Sequence, residues 1–189
     1  IIVEGAAAAP VRIHIDDDKV EILPADDLWG KSSDEVEKEL KETYPGASGL
    51  SSGPAGETGS LRACIMNERG RAAGRGGVGA VMGSKKLKAI SVKASATKVT
   101  PYDEEKLRET NKACLAMIKE NPVTSGGLPT YGTAVLVNIV NSVGSYPTRN
   151  WQGSYDEAAD NISGETMTEK YLEKQSFCHR CPIGCGRLV

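Results

Sequence analysis

The first part of the chain carries the short, alternating apolar pattern of β-strands. Val11-Arg-Ile-His-Ile15 alternates apolar and polar residues, and Val20-Glu-Ile-Leu23 follows after the turn-forming run Asp16–Lys19. This spacing predicts a β-hairpin with a four-residue loop. It places His14 on the polar side of its strand, without a functional role. Short apolar runs predict further strands at residues 1–4, 61–66 and 87–92.

End signals predict the helices of this part. Ser32 and Glu35 have the spacing of a capping box, which opens a helix that runs to about Tyr44. Pro45-Gly46 ends it, and residues 46–59 are interpreted as a Gly/Ser-rich loop. A short helix is predicted over residues 80–86.

After Pro101 the pattern becomes helical. A helix over residues 103–119 places Leu107, Cys114 and Met117 on one stripe, so Cys114 is interpreted as a small core residue. Residues 94–100 are interpreted as a linker and residues 121–132 as a loop.

Two further helices are predicted near the end of the chain. The apolar segment Thr133–Val143 indicates a buried helix. A second capping-box spacing, at Thr166 and Glu169, opens a helix to about Ser176. The sequence therefore predicts an α+β fold, with a β-rich part at residues 1–97 and an α-helical part at residues 98–189.

The composition is that of an ordinary globular chain. Of the 189 residues, 39% are apolar and 25% are charged, and the net charge of -2 excludes a strongly charged disordered tail. No apolar run approaches the about 18 residues of a membrane span, so we expect no membrane partner. One Phe stands against 21 Gly. Because the chain opens on Ile1-Ile2-Val3 without Met, we expect a piece of a longer protein.

Basic residues are concentrated between Glu68 and Asp103, where no acidic residue occurs. They are Arg69, Arg71, Arg75, Lys85, Lys86, Lys88, Lys93 and Lys98. The same stretch is the richest in Gly, so a solvated basic face and an anion site are both open interpretations. Nucleic acid is not expected as a partner, because no aromatic residues are interleaved and the chain as a whole is not basic.

The cysteines point to metal ligation. Three of the five lie within eight residues, in the C-x2-C-x3-C spacing of Cys178, Cys181 and Cys185. An odd, clustered number is unlike a disulfide framework and fits a reducing, cytoplasmic location. Soft thiolates select zinc or an iron–sulfur cluster. A [4Fe–4S] cluster with a distant fourth ligand is favoured, because His179 is adjacent to Cys178 and its ring tends to point away. Zinc and no metal stay open alternatives.

The Gly-rich block Gly74-Arg-Gly-Gly-Val-Gly79 contains G-x-G-x-x-G. A dinucleotide-binding fold would need an acidic residue about twenty positions later, and none occurs before Asp103. The block therefore supports a phosphate or pyrophosphate bound by backbone N–H groups with Arg and Lys nearby. It does not indicate NAD.

Taken together, these stretches resemble the tungsten- and molybdenum-containing aldehyde ferredoxin oxidoreductase family. The matching residues run in the family's order along nearly the whole chain. They are Leu28-Trp-Gly30, Gly53-Pro-Ala-Gly-Glu57, Arg71–Ile90, Tyr131-Gly-Thr133, Pro147-Thr-Arg-Asn150, Ile162-Ser-Gly-Glu165 and Cys178-x-x-Cys181-Pro-Ile-x-Cys185.

The resemblance implies an enzyme that oxidises aldehydes to carboxylic acids and passes electrons to ferredoxin. It implies a tungsten or molybdenum bis-pterin beside a [4Fe–4S] cluster, with Cys178, Cys181 and Cys185 as three metal ligands. It implies a magnesium ion that bridges the pterin phosphates, with Ala72 as the candidate carbonyl ligand. The residues that would line those phosphates are Arg71, Ala72, Gly74, Arg75, Gly76, Gly77, Val78, Gly79 and Ala80.

The resemblance also implies what lies outside this chain: the fourth cluster cysteine, later pterin motifs and the first half of the N-terminal domain. Residues 1–97 would be the rest of the pterin-binding β-sheet domain, and residues 98–189 the start of a helical domain. No catalytic residue is assigned. The segment alone is expected to be inactive, and the full-length enzyme is expected to be a homo-oligomer.

Three alternatives stay open at this point. One is a tungsten-dependent aryl-CoA reductase on the same scaffold. Another is a stand-alone iron–sulfur electron-transfer module, which would need Cys64 or Cys114 as a local fourth ligand. The last is a zinc-stabilised binding domain.

Overall fold

The chain folds as a β-rich unit followed by a helical unit. The computed structural model describes residues 1–68, 70–95 and 100–189. The two units are Ile1–Val99 and Thr100–Val189. The expected boundary between residues 97 and 98 lies outside the described residues, as do Arg69 and Lys98 of the basic stretch. Sheet and helices in one chain confirm the α+β class.

A six-stranded mixed sheet forms the first unit. Its strands lie side by side in the order β2-β1-β6-β3-β4-β5. Strands β1 and β6 are parallel, and the other neighbours are antiparallel. The strands are β1 (Val11–Asp16), β2 (Lys19–Pro24), β3 (Ser48–Ser52), β4 (Ile65–Asn67), β5 (Arg71–Ala73) and β6 (Leu87–Lys93). Strand β6, the last of these six in the sequence, therefore lies inside the sheet.

Two helices cover opposite faces of this sheet. On one face, α1 (Ser33–Thr43) packs Val36 and Leu40 against a buried cluster that includes Ala89 of β6. On the other, α3 (Val78–Ser84) packs Met82 against Ile13 and Ile15 of β1. A short helix, α2 (Pro54–Glu57), follows β3.

The burial of β1 on both faces corrects the interpretation of His14. Alternate residues of a strand point to opposite faces, so His14 lies on the α1 face, between Ile13 and Ile15. It is 6% exposed. Its ring stacks on Tyr44 with centroids 3.7 Å apart, and its Nδ1 lies 2.8 Å from the Ser91 hydroxyl. The expected polar, outward position is wrong because α1 covers that face.

The predicted hairpin and the first capping box are confirmed, but the predicted four-residue loop is wrong. Asp16 pairs with Lys19, so two residues lie between the paired ends. Ser32 caps α1 and Glu35 completes the box. The described residues 1–4 do not form the expected strand, and β4 is shorter than the run 61–66 predicted. Residues 46–59 are not a continuous loop, because β3 and α2 lie within them.

The helical unit is built from short elements. Its helices are α4 (Glu104–Glu120), α5 (Leu128–Tyr131), α6 (Leu136–Ser142) and α7 (Gly164–Lys170). A π-helical turn spans Val123–Gly127, and 3-10 turns span Gly132–Val135 and Ala159–Ile162. Strands β7 (Lys174–Ser176) and β8 (Gly186–Leu188) pair antiparallel. None of the described helices is both long and apolar enough to span a lipid bilayer.

Two predictions of burial in this unit are wrong. Every residue of α4 is at least partly exposed, and Cys114 is exposed, so it is not a core residue here. Residues of α6 are likewise partly or fully exposed. The helix expected after Thr166 starts earlier, because the hydroxyl of Ser163 accepts the Thr166 N–H at 3.1 Å and caps α7. It also ends earlier, at Lys170.

Candidate functional site

The nine predicted cofactor-binding residues lie on one continuous strand–turn–helix segment. Arg71 and Ala72 lie in β5, the exposed edge strand of the sheet. The turn that follows bends at Gly76 and Gly77, whose φ angles are 92° and 70°. Residues 78–80 then open α3. The structure brings these residues together, and their role in binding stays a prediction.

Some of the glycines in and after this segment are needed for close contacts within the protein. A Cβ at Gly79 would lie 2.5 Å from the carbonyl oxygen of Cys64, and one at Gly83 would lie 2.0 Å from that of Gly56. Backbones can approach this closely only where no side chain intervenes. These glycines therefore allow α3 to pack on α2 and on residues 63–64.

The tip of the segment is open. A Cβ at Gly76 would meet nothing within 4 Å, and one at Gly74 would meet only Cys64 Sγ, at 3.8 Å. Arg75 beside them is exposed. An exposed guanidinium next to a backbone without side chains suits a phosphate group. The residues present at this tip therefore fit the phosphate end of a pterin cofactor.

Three lysines of the basic stretch donate hydrogen bonds to other segments of the chain. Lys85 Nζ donates to the carbonyl oxygen of Gly5 at 2.8 Å, and Lys86 Nζ donates to that of Ala8 at 2.6 Å. These bonds fasten the N-terminal segment to the end of α3. The third, Lys88, is fully buried in the sheet. The interpretation of the whole stretch as one anion site is therefore restricted to the part around the exposed Arg75.

Lys88 forms a buried ion pair with Glu57. The side chains of Lys88 and Glu57 are 0% and 7% exposed. Lys88 Nζ also donates to the carbonyl oxygen of Lys31 at 2.8 Å. The Glu57 carboxylate accepts the Gly30 N–H at 2.9 and 3.1 Å. Since buried charges require partners, these bonds lock the segment at residues 28–31 and the end of α2 to β6.

This ion pair is linked to the candidate cofactor loop through α2. Glu57 is the last residue of α2, and the preceding Gly56 contacts the backbone of α3. The hydroxyl of Ser52 donates to the carbonyl oxygen of Gly79 at 3.2 Å, from the strand that leads into α2. Sequence reasoning missed the pair. The available signal was a lysine inside the apolar run Leu87–Val92.

The three predicted metal ligands lie in the loop that joins β7 to β8. The N–H of Cys181 donates to the carbonyl oxygen of Cys178 at 3.0 Å, which forms a tight turn. All five cysteines are free thiols. Within residues 1–68, 70–95 and 100–189, no group of three or more His, Cys, Asp or Glu side chains is arranged to hold a metal ion.

The chemistry of this donor set fits an iron–sulfur cluster, because three soft thiols share one loop. The loop is turned by Gly184, whose φ is 67°, and a Cβ there would lie 2.4 Å from the Phe177 ring. The chain thus places the thiols on one loop without gathering them around one centre. Ligation by Cys178, Cys181 and Cys185 stays a prediction.

One further motif of the helical unit packs against the cysteine loop, and a second packs against the first. Gly132 has a φ of 66°, and a Cβ there would lie 2.9 Å from the carbonyl oxygen of Cys185. A Cβ at Gly164 would lie 2.8 Å from the carbonyl oxygen of Tyr131. Each glycine therefore permits a close backbone contact, and together they connect α7 to the cysteine loop.

A hydrogen-bonded set of polar side chains lies beside these contacts. The Asn138 amide donates to Asp160 at 2.9 Å and to Glu165 at 3.4 Å. Hydrogen bonds from Asn138 and Ser163 lower the pKa of Asp160. Asp160 therefore stays ionised and fixes the turn that precedes α7.

The segment from Pro147 to Asn150 forms an exposed turn. Thr148 pairs with Gly153 across it. Its tip has three successive residues in the left-handed region, with φ angles of 48°, 56° and 68° at Arg149, Asn150 and Trp151. Such backbone is uncommon outside glycine. The turn is therefore tightly constrained.

Two family models match the chain. The N-terminal domain of aldehyde ferredoxin oxidoreductase matches residues 1–94, and domains 2 and 3 of the same enzyme match residues 109–189. The chain belongs to the aldehyde ferredoxin oxidoreductase family. The resemblance inferred from the motifs is therefore confirmed.

Relatives within the family cover the whole chain. The tungsten-containing aldehyde ferredoxin oxidoreductases of Thermococcus kodakarensis and Pyrococcus abyssi are 51% and 50% identical to it. The WOR-like subunit of an aliphatic sulfonate oxidoreductase from Pyrococcus furiosus is 32% identical. The chain spans 31% of the length of the first two relatives and 32% of the third.

A solved structure also resembles the chain. It is the active site complex BamBC of benzoyl coenzyme A reductase with 1,5-dienoyl-CoA. The TM-score is 0.75 at 28% sequence identity, and the match covers 98% of this chain and 30% of the other. The fold of this family member therefore recurs in a reductase of a coenzyme A thioester.

Replacing Lys88 should test the buried ion pair. Lys88→Met leaves the Glu57 carboxylate buried without its cation, which should lower the free energy of unfolding by about 3–5 kcal/mol. Urea denaturation measures this change. The matched control is Lys19→Met, which removes the exposed Lys19–Glu21 pair and should change stability by about 0–1 kcal/mol. Equal effects of the two substitutions would contradict a structural role for Lys88.

Gly83→Ala should test the contact between α2 and α3. Helix propensity alone favours alanine by about 1 kcal/mol. The added Cβ meets the Gly56 carbonyl, so we expect instead a loss of about 1–3 kcal/mol in the free energy of unfolding. Gly126→Ala is the control, because its Cβ would meet nothing within 4 Å. Stabilisation by Gly83→Ala in urea denaturation would show that the two backbones are not in contact.

Proposed function

We propose that the chain is part of an enzyme that oxidises aldehydes to carboxylic acids and passes the electrons to ferredoxin. The observation that carries this proposal is the 50–51% identity, along the whole chain, to tungsten-containing aldehyde ferredoxin oxidoreductases. Because the chain spans about a third of those relatives, the activity belongs to a longer protein. The segment alone is inactive.

The proposed reaction converts an aldehyde and water to a carboxylic acid, two protons and two electrons. A tungsten bis-pterin, when bound, supplies the two-electron oxidation. Cys178, Cys181 and Cys185, with a fourth ligand outside this chain, would hold a [4Fe–4S] cluster, which would supply the one-electron transfer that ferredoxin requires. The free thiols of all five cysteines support the reducing, cytoplasmic location that such a cluster needs.

The β-rich unit binds the phosphate end of the cofactor. Arg71 and Arg75 would neutralise the phosphates, and the open backbone at Gly76 would allow them close approach. The carbonyl of Ala72 would be the ligand that this chain offers to a magnesium ion. The rigid attachment of α3 to α2 and of α2 to Lys88 keeps this loop in one conformation, which lowers the entropy lost on binding. The exposed, open tip of the loop supports this assignment.

One observation favours a second candidate function. The similarity to the benzoyl coenzyme A reductase complex extends over 98% of the chain. A reductase of aryl-CoA thioesters would use the same cofactor loop and cysteine loop with electrons flowing inward. The identity of 28% with that complex, against 51% with an aldehyde oxidoreductase, places aldehyde oxidation first.

Anaerobic purification of the full-length protein from cells supplied with tungstate tests the proposal. We expect tungsten, pterin and about four iron atoms per chain, and aldehyde-dependent reduction of ferredoxin. Cys181→Ser should remove iron and ferredoxin reduction together. Cys114→Ser, on the exposed face of α4, is the matched control and should change neither.

Three outcomes would contradict this assignment. Reduction of an aryl-CoA thioester without aldehyde oxidation would support the second candidate function. Stoichiometric zinc without iron would remove the cluster. Loss of the cluster in Cys114→Ser would indicate a stand-alone iron–sulfur module, which needs a local fourth ligand.

A further inference from the structure

Arg187 fastens the cysteine loop to the rest of the helical unit. It lies in β8, two residues after Cys185. Its Nη1 donates to the carbonyl oxygens of Gly184 and Gly186 at 3.1 and 3.0 Å. Its Nη2 donates to those of Leu128 and Pro129 at 3.1 and 2.5 Å. One side chain therefore joins the end of the cysteine loop to the start of α5.

The charge of Arg187 is balanced by these carbonyl dipoles and not by a carboxylate. Among the described residues it takes part in no ion pair. Its side chain is half-buried, and its guanidinium carries a positive charge. A permanent positive charge is therefore held next to Cys185, where solvent screens it only in part.

The Nε–H of Arg187 is buried and lacks a hydrogen-bond partner in the part of the chain that the structure describes. It lies at the contact between Gly132 and the cysteine loop, since a Cβ at Gly132 would be 3.3 Å from Nε and 2.9 Å from the Cys185 carbonyl oxygen. Buried donors are nearly always paired in native proteins. The chain therefore encloses this donor beside the cysteine loop without giving it a hydrogen-bond partner.

We propose that Arg187 is a positioning residue for the iron–sulfur cluster and raises its reduction potential. This inference rests on the proposed function, in which the cysteine loop holds that cluster. The reduced cluster carries one more negative charge, so a nearby fixed cation stabilises it relative to the oxidised form. The positive end of the Nε–H dipole, buried beside the cysteine loop, acts in the same direction. The four hydrogen bonds to carbonyl oxygens hold the charge and the Nε–H in position.

The test is the midpoint potential of the cluster in the full-length holoenzyme, followed by EPR during a redox titration. Arg187→Met removes the positive charge, the hydrogen bonds from the two Nη groups and the Nε–H. It should move the midpoint to a more negative potential. Arg187→Lys keeps the positive charge but loses the Nε–H and the paired Nη groups. Its midpoint should lie between those of Arg187→Met and the wild type. Lys174→Met, which removes an exposed charge from the neighbouring strand β7, is the control and should leave the midpoint unchanged.

The outcomes separate this inference from the proposed function. A wild-type protein without iron or an EPR signal overturns the proposed cluster itself. A wild-type cluster whose midpoint is unchanged in both Arg187 variants overturns the role of Arg187 alone. If Arg187→Met does not retain iron, Arg187→Lys decides: a negative shift supports the inference, and the wild-type midpoint refutes it.

Discussion

The buried ion pair between Glu57 and Lys88 is the constraint around which the β-rich unit is organised. An isolated charge in this position would be strongly unfavourable, so each group requires the other. The hydrogen bonds that complete the pair reach the backbone of Gly30 and Lys31. Three segments far apart in sequence, around residues 30, 57 and 88, are thereby fixed at one point, and α2 is fixed with them.

Close backbone contacts at glycines join segments within each of the two units. Gly56 and Gly83 bring α2 and α3 together, and α3 begins where the candidate cofactor loop ends. In the helical unit, Gly132 and Gly164 connect α7 to the backbone of Cys185. These four glycines are therefore the places where segments touch. In both units they support a loop that carries the candidate chemistry.

Local signals in the sequence were enough for the elements with clear periodicity. The hairpin of β1 and β2 and the capped helix α1 followed from alternation and from Ser32 and Glu35. Strand β3 could not be recognised, because its Ser and Gly residues are selected by the neighbours β4 and β6 and not by propensity. His14 and Lys88 were misread or missed for a related reason: only tertiary packing shows that both faces of the sheet are covered. Two of the carbonyls that Arg187 binds, those of Leu128 and Pro129, are likewise remote in sequence.

A double-mutant cycle on Glu57→Gln and Lys88→Met tests the central role of the ion pair most directly. The free energies of unfolding of the wild type, both single variants and the double variant are measured by urea denaturation. If the pair organises the unit, the double variant loses less stability than the sum of the single variants, with a coupling of about 2–3 kcal/mol. A coupling within about 0.5 kcal/mol of zero would contradict the account.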